Sequence, residues 1–185
     1  MQTWRRPLFS HRRPNEKQPR MPQPILSTSR LRFDKWRHED ADLLFAIHSS
    51  PLIQRGYPFP TSAWTRNAVL ERLRRYMGEH ERQGLTKWKL SLLDGTFVGR
   101  AGWSPWGHQI EIGYAVLPEF QGKGIAMEAA FALMEWAQAR RSEDLVGFCL
   151  VGNYRSKSIL ERIGMKYEYD RVISEAMHAF YRLSR

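Results

Sequence analysis

The chain has 185 residues, of which 42% are hydrophobic, and its formal net charge at pH 7 is +10. This length suits one domain with its own core, and the composition is typical of a globular protein. Half of the net charge lies in residues 1–24, so the rest of the chain is only mildly basic. The charge is therefore weak support for nucleic-acid binding. No apolar run has the length of a membrane span or the pattern of a signal peptide, which predicts a cytoplasmic protein without membrane contact.

Residues 1–24 are rich in proline and arginine and have no periodic pattern. This composition predicts a basic, flexible extension, followed by one domain over residues 25–185. A basic arm that contacts RNA or a membrane is the alternative for this segment. The single cysteine, Cys149, lies in the apolar stretch LVGFCLV and is expected to be a buried thiol rather than a nucleophile.

The first half of the domain alternates between strand and helix patterns. A strand is predicted around Leu31 and Phe33, followed by a short helix over residues 38–50 and a proline-punctuated loop over residues 51–60. A longer helix is expected to begin at Ser62 or Thr65 and to end near Gln83. The Asp94-Gly95 pair lies between two alternating runs, which indicates a hairpin.

The second half begins with the strand HQIEIGYAV, in which Glu111 is expected to share one face with Gly113 and Ala115. A glycine-containing loop and an amphipathic helix to about Arg141 follow. The apolar run DLVGFCLVG predicts a buried central strand, and a short helix and two further strands complete the chain. This order predicts an α/β domain whose mixed, mostly antiparallel sheet has about seven strands flanked by helices.

The stretch QGKGIA, residues 121–126, stands directly before the amphipathic helix. The first turn of a helix exposes unpaired N–H groups and the positive end of its dipole, and glycine lets a ligand approach the backbone closely. Lys123 adds a positive charge, so the loop has the parts of a phosphate site. A simple glycine-rich joint is the alternative. The spacing matches neither a P-loop nor a dinucleotide-binding motif.

Three segments together resemble the GCN5-related N-acetyltransferase (GNAT) family. Gln121, Gly124 and Ala126 match the acyl-CoA loop of that family. The segment NYRSKSILERIGM, which begins at Asn153, resembles a second family block, and STSRLRFDKWRHEDADLLFAIHSSP resembles the entry of the branch with ribosomal-protein N-terminal and spermidine acetyltransferases. The resemblance covers about residues 25–170, with the segments in the family's order.

The resemblance implies acetyl-CoA as co-substrate, with no metal. The strand Tyr114–Leu117 would hold the pantetheine arm, and the N–H group of Val116 would stabilise the oxyanion. Asn153 and Ser156 would lie at the CoA site; helix N-capping is the alternative for both and is compatible with contact to CoA. The implied CoA-binding residues are Ala115, Val116, Leu117, Gln121, Gly122, Lys123, Gly124, Ile125, Ala126, Asn153 and Ser156.

The family's reaction is a direct attack of a neutral amine on the thioester. Glu111 is the first candidate for the base that takes the amine proton, and a solvated strand glutamate is the alternative. The tyrosine that many members place seven residues after the asparagine is Leu160 here. The branch resemblance implies instead that Ser156, three residues after the asparagine, lies near the CoA sulfur, which makes it the candidate partner for the thiolate.

The acceptor is expected to be a primary amine, either a protein N-terminus, which the branch resemblance favours, or a small molecule. Tyr57 and Phe59 are candidate acceptor contacts, together with Glu111, because the loop between the first two helices covers the acceptor site in the family. A non-catalytic acyl-CoA-binding module is the alternative function. A homodimer remains open.

Overall fold

The computed structural model describes residues 23–56 and 64–183. An eight-stranded sheet runs through them in the order β1-β2-β3-β4-β5-β6-β8-β7, and every neighbouring pair is antiparallel except β5 and β6, which are parallel. The strands are β1 (Leu26–Ser27), β2 (Leu31–Asp34), β3 (Lys87–Leu92), β4 (Phe97–Trp106), β5 (Gln109–Val116), β6 (Asp144–Leu150), β7 (Met165–Ile173) and β8 (Ala176–Leu183).

Five α-helices pack against the sheet in the described ranges. They are α1 (Ala41–Ser49), α2 (Pro51–Gln54), α3 (Arg66–Gln83), α4 (Ile125–Arg140) and α5 (Tyr154–Arg162). Two short 3₁₀ turns, His38–Asp40 and Pro118–Phe120, precede α1 and follow β5. None of the helices in the described part is long and apolar enough to cross a membrane.

The predicted fold class is confirmed, with two differences in detail. The sheet has eight strands instead of about seven, because the two-residue β1 pairs with β2. The prediction of a loop over residues 51–60 was wrong for Pro51–Gln54, which form α2. Proline has no N–H group to lose at the first turn of a helix, and its fixed φ suits that position, so Pro51 starts a helix here. The predicted extension falls almost entirely on residues 1–22, outside the described ranges.

The ends of α3 follow from its sequence. The Thr65 hydroxyl accepts a hydrogen bond from the Ala68 N–H group at 3.2 Å, which satisfies one of the unpaired donors of the first turn. Gly84 closes the helix in the left-handed conformation, and its N–H group donates to His80 O. Thr65 is therefore the cap of this helix, while Ser62 lies outside the described residues.

The two faces of the sheet carry separate cores. Helices α4 and α5 cover one face, where Trp88 and Trp103 are fully buried and Trp103 donates its indole N–H to Leu133 O at 3.0 Å. Helices α1 and α3 pack over the other face, against a smaller cluster around Trp36 and Tyr76. Because both faces are covered, the centre of the sheet offers a ligand only the places where strands separate.

Candidate active site

The central feature of the site is the separation of the parallel strands β5 and β6. Their pairing runs from Gln109–Asp144 to Ile112–Gly147 and ends there. β5 continues to Val116 and β6 to Leu150, so both strands extend past the last pair. A Cβ atom at Gly147 would lie 2.6 Å from a methyl group of Leu160, which shows how tightly α5 packs at the point of separation.

The free edge of β5 presents backbone groups to the opening. Leu117 donates its N–H group to Val98 O of β4 at 2.9 Å. Successive residues of an antiparallel strand direct their backbone groups to opposite sides, so Val116 and Tyr114 direct theirs away from β4 and into the opening. The Gln121 side chain donates to Val116 O at 3.0 Å, which ties the loop to this edge. The Val116 N–H group faces the same space.

The loop before α4 has the geometry that its glycines permit. Gly122 and Gly124 have φ angles of 75° and 76°, in the left-handed region that side chains with a Cβ atom rarely adopt. α4 begins at Ile125, directly after Gly124, so its unpaired N–H groups and the positive end of its dipole point into the loop. Lys123 is exposed, and its ammonium group lies over the Phe120 ring.

Arg30 braces this loop, a contact that the sequence patterns did not indicate. Its guanidinium donates to Lys123 O at 3.1 Å and to a Glu128 carboxylate oxygen at 2.6 Å. The Thr28 hydroxyl donates to the other Glu128 oxygen. Burial opposes ionisation of Glu128, but the hydrogen bonds from Thr28 and Arg30 lower its pKa below the usual value. The negative charge of Glu128, one turn into α4, is therefore paired with Arg30 and does not repel an anion at the loop.

A second cluster lies at the start of α5. The Asn153 side chain accepts from the Ser156 N–H group at 3.1 Å, so it caps this helix. The Ser156 hydroxyl lies 2.9 Å from the Tyr114 hydroxyl of β5, with either as donor. The sequence analysis placed Tyr114 on the strand expected to hold pantetheine but missed this side-chain contact, because it spans 42 positions of the chain. Leu160 stands at the position where many members of the resembled family have a tyrosine. It is 2% exposed and belongs to the core.

The Glu111 side chain lies on the face of β5 opposite to that of the Tyr114 side chain and forms an ion pair with Lys87. The Lys87 ammonium donates to Glu111 Oε2 at 2.5 Å and to the Glu111 carbonyl at 2.7 Å. The two side chains are only 7% and 14% exposed. Burial lowers the pKa of Lys87, and the Glu111 charge opposes that shift. A Cβ atom at Gly113 would lie 2.5 Å from Lys87 Cε, so glycine leaves the room that this pair occupies.

One cleft of about 1190 Å³ connects these groups. It passes from the loop and α5 on one side of the sheet, through the separation of β5 and β6, to α2 on the other side. Gly56, just after α2, lies close to the Asn153 amide. Cys149 lines the cleft and is 6% exposed, and burial raises the pKa of its thiol, in agreement with the expected buried thiol.

The structure brings most of the predicted site residues to this cleft. Glu111, Ala115, Val116, Gln121, Gly122, Gly124, Ile125, Ala126, Asn153 and Ser156 line it. Leu117 and Lys123 adjoin it in the chain, and Tyr57 and Phe59 lie outside the described residues. Within residues 23–56 and 64–183, no group of three histidine, cysteine, aspartate or glutamate side chains is placed to hold a metal ion.

The family model of the acetyltransferase (GNAT) domain matches residues 30–166. The chain therefore belongs to the GNAT acetyltransferases, as the three sequence segments indicated. The match covers the glycine loop, both strands of the separation and α5.

Solved structures have the same fold. An acetyltransferase from Agrobacterium tumefaciens is 22% identical with a TM-score of 0.74, over 92% of this chain and all of that one. The ribosomal L7/L12 α-N-protein acetyltransferase RimL, in complex with coenzyme A, is 18% identical with a TM-score of 0.71, over 86% and 97% of the two chains. The microcin C7 self-immunity acetyltransferase MccE, in complex with acetyl-CoA and AMP, is 17% identical with a TM-score of 0.71, over 84% and 92%.

His48 is a buried titratable group on the α1 side of the sheet. It is 3% exposed and stacks on Trp64 with ring centroids 3.7 Å apart. Neither ring nitrogen has a hydrogen-bond partner among the described residues. Burial, together with the charges of Arg100 and Arg72, lowers the pKa of His48 to about 2. The imidazole is therefore neutral in the folded protein.

This burial predicts a specific loss of stability in acid. The folded pKa lies below the unfolded value of 6.5, so the full stability is present above pH 6.5 and declines as the pH falls toward 2. At pH 5 the loss from this one group is about 2 kcal/mol. Urea unfolding at pH 8 and pH 5 should show that His48→Leu loses about 2 kcal/mol less than the wild type between the two pH values. Equal losses would contradict a buried, neutral His48.

Proposed function

We propose that the protein is an acetyl-CoA-dependent N-acetyltransferase that moves the acetyl group to a primary amine. The observation that carries this proposal is the separation of β5 and β6 beside a glycine loop at the start of a helix. The edge of β5 that faces the opening would supply backbone groups for the pantetheine amides, among them the Val116 N–H group, and the loop would supply N–H groups for the pyrophosphate. Coenzyme A and acetyl-CoA are the ligands in the RimL and MccE structures, which supports the same donor here.

The donor would be held mostly by backbone. The Gly122–Ala126 N–H groups and the α4 dipole would bind the pyrophosphate, with Lys123 as an added charge. The Ala115–Leu117 segment would bind pantetheine like an added strand. Asn153 and Ser156 would adjoin the thioester end of the arm. This assignment fits the cleft, because all of these segments line or adjoin it.

The proposed reaction has no covalent enzyme intermediate. The neutral amine attacks the thioester carbonyl carbon, and the Val116 N–H group stabilises the oxyanion that forms. The carbon–sulfur bond then breaks, which gives the acetamide and the CoA thiolate. The amine nitrogen loses one proton, and the thiolate gains one. The enzyme therefore needs a proton acceptor on the amine side and a donor on the sulfur side.

Glu111 is the proposed acceptor of the amine proton, directly or through a water molecule. Glu111 lines the cleft on the side of α2. Gly113 has no side chain, which leaves the space that the Lys87 side chain needs to reach Glu111. Lys87 donates to Oε2, which fixes the carboxylate in one orientation. Tyr57 and Phe59 are proposed to contact the acceptor, as the family resemblance implies.

The proposed donor to the thiolate is the Ser156–Tyr114 pair. A serine hydroxyl alone is a poor acid, but the phenol at 2.9 Å can supply a proton through it. Tyr114 would thus replace the tyrosine that is absent at Leu160. We further propose that the protein is cytoplasmic and that its acceptor is a protein N-terminus or a small amine.

One experiment separates an enzyme from a module that only binds acyl-CoA. Acetyl-CoA should raise the melting temperature of the wild type and of Glu111→Gln equally, because Glu111 lies away from the loop. Amine-dependent CoA release should occur in the wild type and fall about 10²-fold in Glu111→Gln. Glu81→Gln, at an exposed position of α3, is the control and should behave as wild type. Binding without amine-dependent release would favour the module, and no thermal shift would contradict the donor assignment.

The proposed proton donation by the Ser156–Tyr114 pair can be tested with variants of both residues. Tyr114→Phe and Ser156→Ala should each lower kcat about 10- to 100-fold and leave the KM for acetyl-CoA within about threefold, because they act on the leaving thiolate. The double variant should lose little more than either single variant, since both belong to one proton path. Tyr167→Phe, an exposed tyrosine of β7, is the control. Independent, additive losses would contradict a shared path.

A further inference from the structure

We infer that the acceptor is a primary amine attached to an apolar or aromatic group, with no second positive charge. This inference rests on the proposed function and concerns the half of the same cleft that opens toward α2. We call this half the acceptor side and define it by Leu52, Ile53, Arg55, Phe148 and His178, all of which line the cleft.

An aromatic surface forms the sheet wall of the acceptor side. Glu111 lies beside Val146 in the parallel register, so Phe148, two residues further along β6, occupies the same face as both. The Phe148 ring stacks on the Phe180 ring with their centroids 5.1 Å apart, and its centroid lies 4.8 Å from that of the Trp106 ring. His178 meets the edge of Phe148 at 5.8 Å. Rings fixed on both sides give an apolar group a rigid surface.

The opposite wall, from α2, is also apolar. Ile53 is 7% exposed and packs with Ala115 of β5, while Leu52 is 52% exposed and lines the cleft. An apolar group that binds between α2 and Phe148 would be removed from contact with water on both of its sides. This removal is the main driving force for binding such a group. Nothing in either wall requires a charged partner on the acceptor.

The charges of the cleft disfavour a polyamine. Glu111 is the only carboxylate among its described lining residues, and Lys87 already neutralises it. Three arginines line the same cleft: Arg55, Arg155 and Arg162. The sequence of residues 57–63, YPFPTSA, contains no acidic residue, and residues 1–22 contain one, Glu16. Binding would remove a second ammonium group from water, and no anion among these residues would pair with it. The ammonium group would also face the positive charge of Arg55.

Hexylamine and 1,6-diaminohexane test this inference directly, because the two amines have the same chain and differ by one ammonium group. The measurement is kcat/KM from CoA release with acetyl-CoA in excess. We expect hexylamine to be used at least about tenfold better than the diamine, since a buried, unpaired charge costs that much or more. Equal or better use of the diamine would overturn the inference and leave the proposed function standing. No turnover with any primary amine would overturn both.

Arg55 allows the charge of the acceptor side to be reversed. It is exposed directly after α2, so Arg55→Glu should fold normally while placing a carboxylate on the acceptor side. We expect it to raise the kcat/KM ratio of diamine to hexylamine about five- to tenfold. Arg74→Glu makes the same change at an exposed position of α3 outside the cleft and should leave the ratio unchanged. An equal effect of both variants, or none from Arg55→Glu, would overturn the role of Arg55.

Two sources could supply the same chemistry, a free apolar amine and a polypeptide that begins with an apolar residue. Phenethylamine and the peptide Phe-Ala-Ala-Ala-amide separate them, with Lys-Ala-Ala-Ala-amide as the charged counterpart of the peptide. Faster use of the peptide than of phenethylamine would assign a polypeptide N-terminus, and the reverse would assign a small molecule. Both outcomes support the inference, whereas a preference for the lysine peptide over the phenylalanine peptide would overturn it.

Discussion

The proposed function depends on two parallel strands that stop pairing while both continue. After Ile112 and Gly147, β5 and β6 no longer pair with each other, in a sheet that is otherwise continuous from β1 to β7. Unpaired backbone groups in a protein interior are costly unless another partner takes them. A linear, amide-containing ligand that lies between the strands is such a partner. The packing of Leu160 and Met165 against Gly147 holds β6 on the side of α5 at this point.

Charge is distributed differently on the two sides of this opening. On the side of the glycine loop, Arg30 neutralises Glu128 and the Thr28 hydroxyl donates a hydrogen bond to it, so an anion would meet the dipole of α4 and the charge of Lys123 in the loop. On the acceptor side, Lys87 neutralises Glu111, and the other residues that define this side are apolar except Arg55 and His178. Glu128 and Glu111 are thus each paired with a cation from elsewhere in the chain. The loop would favour anions, and the described residues of the acceptor side provide no carboxylate for a second cation.

Local patterns were sufficient for the parts of the site that are continuous in sequence. The alternation in β5, the glycines at 122 and 124 and the cap at Asn153 each depend on residues within a few positions of one another, so sequence alone predicted them. The contacts Lys87–Glu111 and Tyr114–Ser156 span 24 and 42 positions and depend on strand register and helix placement. The α2 helix was missed because the three prolines of residues 51–60 suggested a loop, although a proline at the first turn favours a helix.

Amide hydrogen exchange at Tyr114 and Val116, with and without acetyl-CoA, tests the central claim most directly. Both N–H groups face the separation of β5 and β6, whose pairing ends at Ile112 and Gly147, whereas the Leu117 N–H group is bonded to Val98 O. If the ligand takes the place of the missing strand, acetyl-CoA should slow exchange at Tyr114, Val116 and the Gly122–Ala126 loop by about tenfold or more and change Leu117 little. Unchanged exchange at Val116 and Tyr114 under saturating acetyl-CoA would contradict the account.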